Sequence, residues 1–164
     1  MNTDKINEIF DKLREIKQIN TFTAKLLSSL ANEIEASQGA FFVASKKNDI
    51  NILRLVSGYA YHLPESSVIE FEFGEGLSGQ VAKEGKPVNI KNVPDNYINI
   101  ISGLGHSSPK NLYICPVKID DKILGVVELA SFKEFTSEQQ DLISGILEHS
   151  ASYINELIKV TDFN

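Results

Sequence analysis

The chain has 164 residues, of which 42% are hydrophobic, and a formal net charge of −6 at pH 7. This length fits one domain, because a domain of about 150 residues buries roughly 70% of the surface of its unfolded chain. The acidic charge is spread along the chain, and no basic stripe is available to displace counterions from phosphates. We therefore expect neither nucleic-acid binding nor membrane binding.

Cysteine content and the N-terminal sequence bear on the compartment. Cys115 is the single cysteine, which excludes an intrachain disulfide and indicates a reducing, cytoplasmic location. The N-terminal residues do not resemble a signal peptide, and no apolar run reaches the ~20 residues that span a bilayer. We expect a soluble, cytoplasmic protein.

The first segment has the spacing of an amphipathic helix. Apolar residues recur at steps of three and four and share one face: Ile6, Ile9, Leu13 and Ile16. The same register continues to Ile34 through Asn20 and Thr23, which indicate either a break between two helices or a polar layer that fixes the register. The apolar stripe either packs on its own domain or forms a dimer interface.

From Ala40 the pattern changes to that of β-strands. Three aromatic and β-branched segments, separated by turn residues, predict antiparallel strands over residues 40–45, 50–61 and 67–73. A glycine-rich turn then precedes a helix of two turns over residues 77–84, which Gly85 ends. A fourth strand is predicted over residues 87–91.

The C-terminal part contains the clearest hairpin. Residues 111–119 and 122–130 flank Asp120 and Asp121, which tolerate positive φ in a two-residue loop. Thr136 opens the last helix, with Gln139 three residues later as in a capping box. The order of elements predicts an α+β domain, in which one antiparallel sheet carries helices on one side.

The connection over residues 92–110 indicates a site. Loops longer than about 12–15 residues are uncommon in compact domains unless they are functional or disordered. This one carries apolar residues, among them Tyr97, Ile101 and Leu104, so we expect it to fold over the sheet as a cap. The cap either encloses a ligand pocket or fills its own cavity and binds nothing.

We find no catalytic or metal site among the histidines, the glycine-rich segment and the cysteine. His62, His106 and His149 lack metal-ligand spacing, and we expect no metal and no cofactor. The segment 74–79 lacks the Lys-Ser/Thr of a phosphate-binding loop, and Gly79 is interpreted as letting the helix approach the sheet. Cys115 is expected to be a buried, inert thiol.

Glu128 is the only charge in the apolar run ILGVVELA. In an antiparallel hairpin its side chain faces either solvent or the pocket. Its orientation therefore decides whether the pocket contains a carboxylate.

Taken together, these segments resemble a GAF domain of the type found in bacterial sensor histidine kinases and related signalling proteins. The resemblance covers about residues 21–158 and rests on LRLVSGYAY, FEFGEGLSGQVAKEGKPVNIKNVP, YINIISGLGHSSPKNLYICPV and ILGVVELASFKEFTSEQQDLI. It implies a GAF/PAS-like (profilin-like) fold: a six-stranded antiparallel sheet, with N- and C-terminal helices on one face and a short helix plus capping loop on the other. It also implies homodimers formed through the terminal helices.

Comparison with GAF subtypes favours a binding module over an enzyme. The GAF-fold reductase of free methionine sulfoxide has a cysteine in the turn into the short helix, where this chain has Ser78, and another in the capping loop, which is free of cysteine here. Its acidic side chains match Leu112 and Ala130. Signatures of cyclic-nucleotide and bilin binding are also missing, and no histidine matches a haem-ligand position.

The resemblance implies a sensory module in which a small molecule under the 92–110 loop acts on the terminal helices and on an attached output domain, such as a kinase. Residues 1–20 are predicted to be a dimer or signalling helix, 21–160 the GAF-like domain and 161–164 a tail. The candidate pocket residues are Tyr61, Phe73, Ser78, Val81, Tyr97, Ile101, Leu112, Ile114 and Glu128. The candidate dimer interface is Ile6, Ile9, Leu13 and Ile16.

Two alternatives to the sensory module remain. One is a dimerisation scaffold that binds no ligand, and the other is a redox enzyme that uses Cys115. The sequence contains no kinase motif and no DNA-binding helix pair. The chain therefore either signals by contact with a partner or is a fragment of a longer protein.

Overall fold

The computed structural model describes residues 3–61, 68–93 and 109–163. The elements are, in chain order, α1 (Thr3–Leu13), α2 (Ile19–Ile34), β1 (Gln38–Lys47), β2 (Ile50–Tyr59), β3 (Glu70–Glu72), α3 (Gly76–Glu84), β4 (Val88–Ile90), β5 (Asn111–Ile119), β6 (Lys122–Ser131) and α4 (Ser137–Lys159). The predicted order is confirmed. Most of the predicted cap, including Tyr97 and Ile101, lies outside the described residues.

One antiparallel sheet has the strand order β3-β2-β1-β6-β5-β4. The hairpins β1–β2 and β5–β6 form its centre, and β1 joins them by pairing with β6. Asn48 and Asp49 turn the first hairpin with φ of 52° and 66°, as a type I′ turn requires. Asp120 turns the second hairpin with φ of 52°. The predicted α+β class with a six-stranded sheet is confirmed.

Three helices, α1, α2 and α4, cover one face of the sheet, which we call the helix face. Alternate residues of β5 and β6 point into this core, because successive side chains of a strand face opposite sides. Buried side chains that contribute to it include Phe22, Leu26, Leu30, Phe41, Tyr113, Cys115, Val127, Leu129, Ile143, Ile146 and Ile154. The expectation that the helices of both chain ends lie together on one face is confirmed.

The predicted N-terminal stripe divides into two helices. α1 ends at Leu13, and α2 begins at Ile19 after an extended N-cap residue, Gln18. Thr23 Oγ1 donates a hydrogen bond to the Ile19 carbonyl at 2.8 Å and accepts one from Ser57 Oγ at 2.8 Å. Of the two alternatives, the helix break is observed, and Thr23 ties α2 to β2.

The apolar stripe of α1 packs on its own chain. Ile9 and Leu13 are each 6% exposed within the core that α1 shares with α2 and α4, and Ile6 and Ile16 pack at its edge. These candidate dimer residues therefore face the domain interior. A homodimer would use the outward surfaces of the helices or would require α1 to move.

On the other face of the sheet, α3 approaches the strands closely at Gly79. A Cβ atom at Gly79 would lie 2.5 Å from the carbonyl oxygen of Glu72 and 3.2 Å from the backbone nitrogen of Gly74. The interpretation of Gly79 as a close-approach position is thereby confirmed. Val81 and Ala82 are buried against the sheet below them.

The start of α4 has the predicted capping box. Gln139 N donates to Thr136 Oγ1 at 3.1 Å, and Thr136 N donates to Gln139 Oε1 at 2.9 Å. Two backbone donors at the helix N-terminus are satisfied in this way. Across residues 3–61, 68–93 and 109–163, no helix is long and apolar enough to cross a bilayer.

Replacement of Ser150 by alanine is expected to stabilise the protein. Ser150 is fully buried on α4, and its hydroxyl has no hydrogen-bond partner within the described part of the chain. Because an unpaired buried hydroxyl costs about 1–3 kcal/mol, S150A should raise the free energy of unfolding by about 1 kcal/mol, as measured by urea denaturation. The exposed Ser152 provides the control, since S152A has the same gain in helix propensity without the burial effect. Equal changes in both variants would contradict the prediction.

Candidate functional site

The candidate site lies on the sheet surface that packs against α3, which we call the α3 face. Strand register places five residues in one row across β2, β1, β6, β5 and β4: Gly58, Ala40, Glu128, Ile114 and Val88. Directly paired residues of an antiparallel sheet point to the same side. Because Ala40 and Ile114 pack with Val81 of α3, Glu128 also points toward α3.

Glu128 is held by a hydrogen bond from α3. Ser78, in the first turn of that helix, donates from Oγ to Glu128 Oε2 at 2.8 Å. Ser78 is buried and Glu128 is partly buried. Burial raises the pKa of the Glu128 carboxyl, and the bond from Ser78 lowers this pKa in part. Of the two orientations left open by the sequence, Glu128 adopts the one toward the α3 face.

Small and apolar side chains surround this carboxylate. Ala40 and Ile114 flank Glu128 on the neighbouring strands, and Val126 and Ala130 lie on the same side of β6. The carboxylate thus lies in a surface of low polarity, in which charge interactions are stronger than in water.

Tyr61 lies at one end of the row. A Cβ atom at Gly58 would lie 2.7 Å from Cβ of Tyr61, so Tyr61 covers the position that glycine leaves open. Burial and the charge of Glu128 both raise the pKa of the Tyr61 hydroxyl. The α3 face therefore combines a carboxylate, a serine hydroxyl and a phenol on an otherwise apolar surface.

The candidate pocket residues are only partly brought together. Six of them lie on the α3 face: Tyr61, Ser78, Val81, Leu112, Ile114 and Glu128. Phe73 packs at the edge of the hydrophobic cluster on this face and also lines a groove of about 460 Å³ beside the hairpin turns, with Ser45 and Ile123. Sequence reasoning missed Ala40, which only the strand register places beside Glu128, and Gly58, which pairs with Ala40 one strand further away.

The GAF domain family model matches residues 18–155. The chain belongs to the GAF domain family. The Nif-specific regulatory protein of Azospirillum lipoferum is 25% identical over 109 residues, which are 64% of this chain and 17% of that protein. The chain therefore spans a minor part of the length of this curated relative.

Solved structures agree on the fold. The GAF domain from an Acinetobacter phosphoenolpyruvate-protein phosphotransferase aligns with a TM-score of 0.78 and 16% identity over 100% of both chains. The type II free methionine-R-sulfoxide reductase from Thermoplasma acidophilum aligns with a TM-score of 0.65 and 18% identity over 88% of this chain and 96% of that one. At such identities the similarity shows the GAF fold alone.

The cysteine of this GAF domain lies away from the α3 face. Cys115 is buried in the helix-face core, where its Sγ lies 3.7 Å from Ser144 Oγ. Burial raises the pKa of the Cys115 thiol, which disfavours the reactive thiolate. The expected buried thiol is confirmed. In the part of the chain that the structure describes, no group of three or more His, Cys, Asp and Glu side chains is arranged to hold a metal ion.

Glu128→Gln is expected to stabilise the ligand-free GAF domain near neutral pH. Because the folded-state pKa of Glu128 is raised, its stabilising contribution is complete below the ordinary carboxyl pKa of 4.5 and is lost as pH rises toward the folded-state pKa. Glutamine avoids this loss and can still accept the bond from Ser78. Tyr61 titrates outside this window, since its pKa is raised above 10.0.

Urea denaturation at about pH 4 and about pH 8 measures this effect. The midpoint of E128Q should exceed that of the wild type at the higher pH, and the difference should shrink at the lower pH. Glu156→Gln, an exposed carboxylate on α4, is the control and should show no such difference. A lower midpoint for E128Q at the higher pH would contradict the prediction.

Proposed function

We propose that this GAF domain is a sensory module that binds a small molecule on the α3 face, under the 92–110 segment, and acts through the helices on the opposite face. One observation carries the proposal: the Glu128 carboxylate, bonded to Ser78, lies in an otherwise apolar surface. A buried charge with little compensation destabilises a fold. Acids whose pKa is shifted by burial cluster at functional sites.

Strand β6 offers a direct route from the α3 face to the helices. Glu128 faces α3, whereas its neighbours Val127 and Leu129 are fully buried in the core with α2 and α4. A ligand that shifts β6 therefore changes the packing under those helices. It alters their arrangement only as far as it binds one arrangement more tightly than the other.

A thermal-shift screen with a metabolite library that includes nucleotides tests ligand binding. A ligand at about 100 times its Kd stabilises the folded state by about 2.7 kcal/mol. The effect should disappear in Ala130→Leu, which fills the α3 face, and persist in Ser152→Leu on the exposed side of α4. The absence of any stabilising compound, together with a crystal structure in which side chains fill the space, would refute ligand binding.

We also propose that the module forms a homodimer through the outward surfaces of its terminal helices and controls an associated kinase or other regulatory protein in the cytoplasm. The Nif-specific regulatory relative supports a role as one part of a regulator. Sedimentation velocity should give the mass of two chains, and the charge change Asp11→Lys on the exposed side of α1 should weaken the dimer. A monomer at all concentrations would refute dimerisation.

The non-enzymatic role is part of this proposal. Ser78 has a hydroxyl where the reductase resemblance expects a cysteine, and Cys115 lies on the helix face. Incubation with free methionine sulfoxide and a thiol reductant should therefore give no turnover. Any turnover would refute the non-enzymatic role. Turnover that persists in Cys115→Ser would show that a group other than the Cys115 thiol is catalytic.

A further inference from the structure

We propose that the ligand of the α3 face carries a protonated nitrogen, an ammonium or guanidinium group, that pairs with Glu128, and an apolar body that lies on the neighbouring strands. This inference rests on the proposed function, because it names the ligand chemistry of the same site.

The first argument is charge. Only one hydrogen bond to the Glu128 carboxylate is supplied by the described residues, from Ser78 to Oε2, although a carboxylate can accept several. The residues that flank Glu128 across the strands, Ala40 and Ile114, are uncharged. Within residues 3–61, 68–93 and 109–163, the Glu128 carboxylate therefore has no paired cation. An anionic ligand would be repelled, whereas a cation would supply the missing charge.

The second argument is shape. The positions next to Glu128 carry side chains with few atoms: alanine at 40 and 130, and serine at 78. Short side chains at these positions do not themselves extend over the carboxylate. Ile114 and Leu112 provide an apolar wall along β5, on the same side of the sheet. Most small-molecule sites combine an apolar lining with a few polar groups that fix orientation.

The third argument is the strength of such a pair. A hydrogen bond between an ionised donor and an ionised acceptor is roughly twice as strong as a neutral one. Here it would form in a partly buried, apolar setting that screens it less than water does. A cationic ligand should therefore bind at least about tenfold more tightly than its neutral isostere.

Three matched probes test the inference on the full, isotope-labelled chain: 3-methylbutylamine, the neutral 3-methylbutan-1-ol and the anionic 3-methylbutanoate. Amide NMR shifts map each probe and give its Kd. We expect the amine to shift amides of β1, β6 and α3 around Glu128, with a Kd at least about tenfold below that of the alcohol. The carboxylate probe should leave these amides unshifted.

Substitutions assign the effect to Glu128. In Glu128→Gln the amine and the alcohol should bind equally, whereas in the control Glu156→Gln the preference for the amine should remain. Ser78→Ala should also keep it, because the carboxylate is retained. If E128Q does not fold, the wild-type comparison and S78A decide the question.

The outcomes separate this inference from the proposed function. Equal binding of amine and alcohol at the α3 face would overturn the cation inference and leave ligand binding intact. Preferential binding of the carboxylate probe, or of an anionic metabolite, at these amides would do the same. Failure of all three probes, together with no stabilising metabolite, would overturn both.

Discussion

Replacement of Gly125 by alanine is expected to lower the free energy of unfolding by about 3 kcal/mol. A Cβ atom there would lie 2.2 Å from the carbonyl oxygen of Phe42 and 3.3 Å from its carbonyl carbon. Both are backbone atoms of β1, which pairs with β6 at the centre of the sheet. The added methyl group therefore fits only if the two central strands separate, and their pairing joins the two hairpins.

Gly145→Ala is the matched control for Gly125→Ala. Its Cβ atom would lie 2.6 Å from Cδ1 of Ile6, which is the end of a flexible side chain and can move. The gain in helix propensity, about 1 kcal/mol, offsets the adjustment. Urea denaturation followed by circular dichroism should show a large loss for G125A and little change for G145A. Similar midpoints would contradict the steric argument.

Replacement of Phe22 by alanine is expected to lower the free energy of unfolding by about 3–5 kcal/mol. Phe22 is fully buried, and its ring centroid lies 6.4 Å from that of Phe10 on α1 and 5.1 Å from that of Tyr153 on α4. Its removal would leave a cavity where the three helices meet. Since α1 rests on this cluster, its amides should also lose protection from hydrogen exchange.

Phe132→Ala is the control for Phe22→Ala. Phe132 is 58% exposed, so its truncation should change the free energy of unfolding by less than about 0.5 kcal/mol. Denaturation gives the two energies and hydrogen exchange gives the protection of α1. Retained protection of α1 in F22A would mean that this helix does not depend on the aromatic cluster.

Much of the fold was predictable because its signals are local. The capping box at Thr136, the close approach at Gly79 and the hairpin turn at Asn48 each depend on residues within a few positions in the sequence. Such features fix where elements begin and end. They do not specify what lies against an element from elsewhere in the chain.

The surface against which the apolar stripe of α1 packs could not be predicted from the sequence. An amphipathic pattern shows that one face of a helix is covered, and it does not identify the covering surface. Ile9 and Leu13 would give the same periodicity in a dimer seam and in the intramolecular core where they lie.

The site was harder to predict for a related reason. β6 is buried on both faces, so apolar residues surround Glu128 and the usual alternation gives no orientation. Phe73 packs at the edge of the cluster on the α3 face and also lines a second groove, a distinction that local sequence does not contain. Ala40 lies beside Glu128 only through strand pairing, which local patterns do not encode.

The hydroxyl pair of Thr23 and Ser57 has a consequence for how the layers align. Apolar side chains tolerate several offsets between a helix and a sheet, because dispersion contacts have little directionality. A slip of α2 along β2 would separate Ser57 Oγ from Thr23 Oγ1 and leave the buried Ser57 hydroxyl without this partner, at a cost of about 1–3 kcal/mol. The apolar core holds the two layers together, and this hydroxyl pair selects the offset at which they meet.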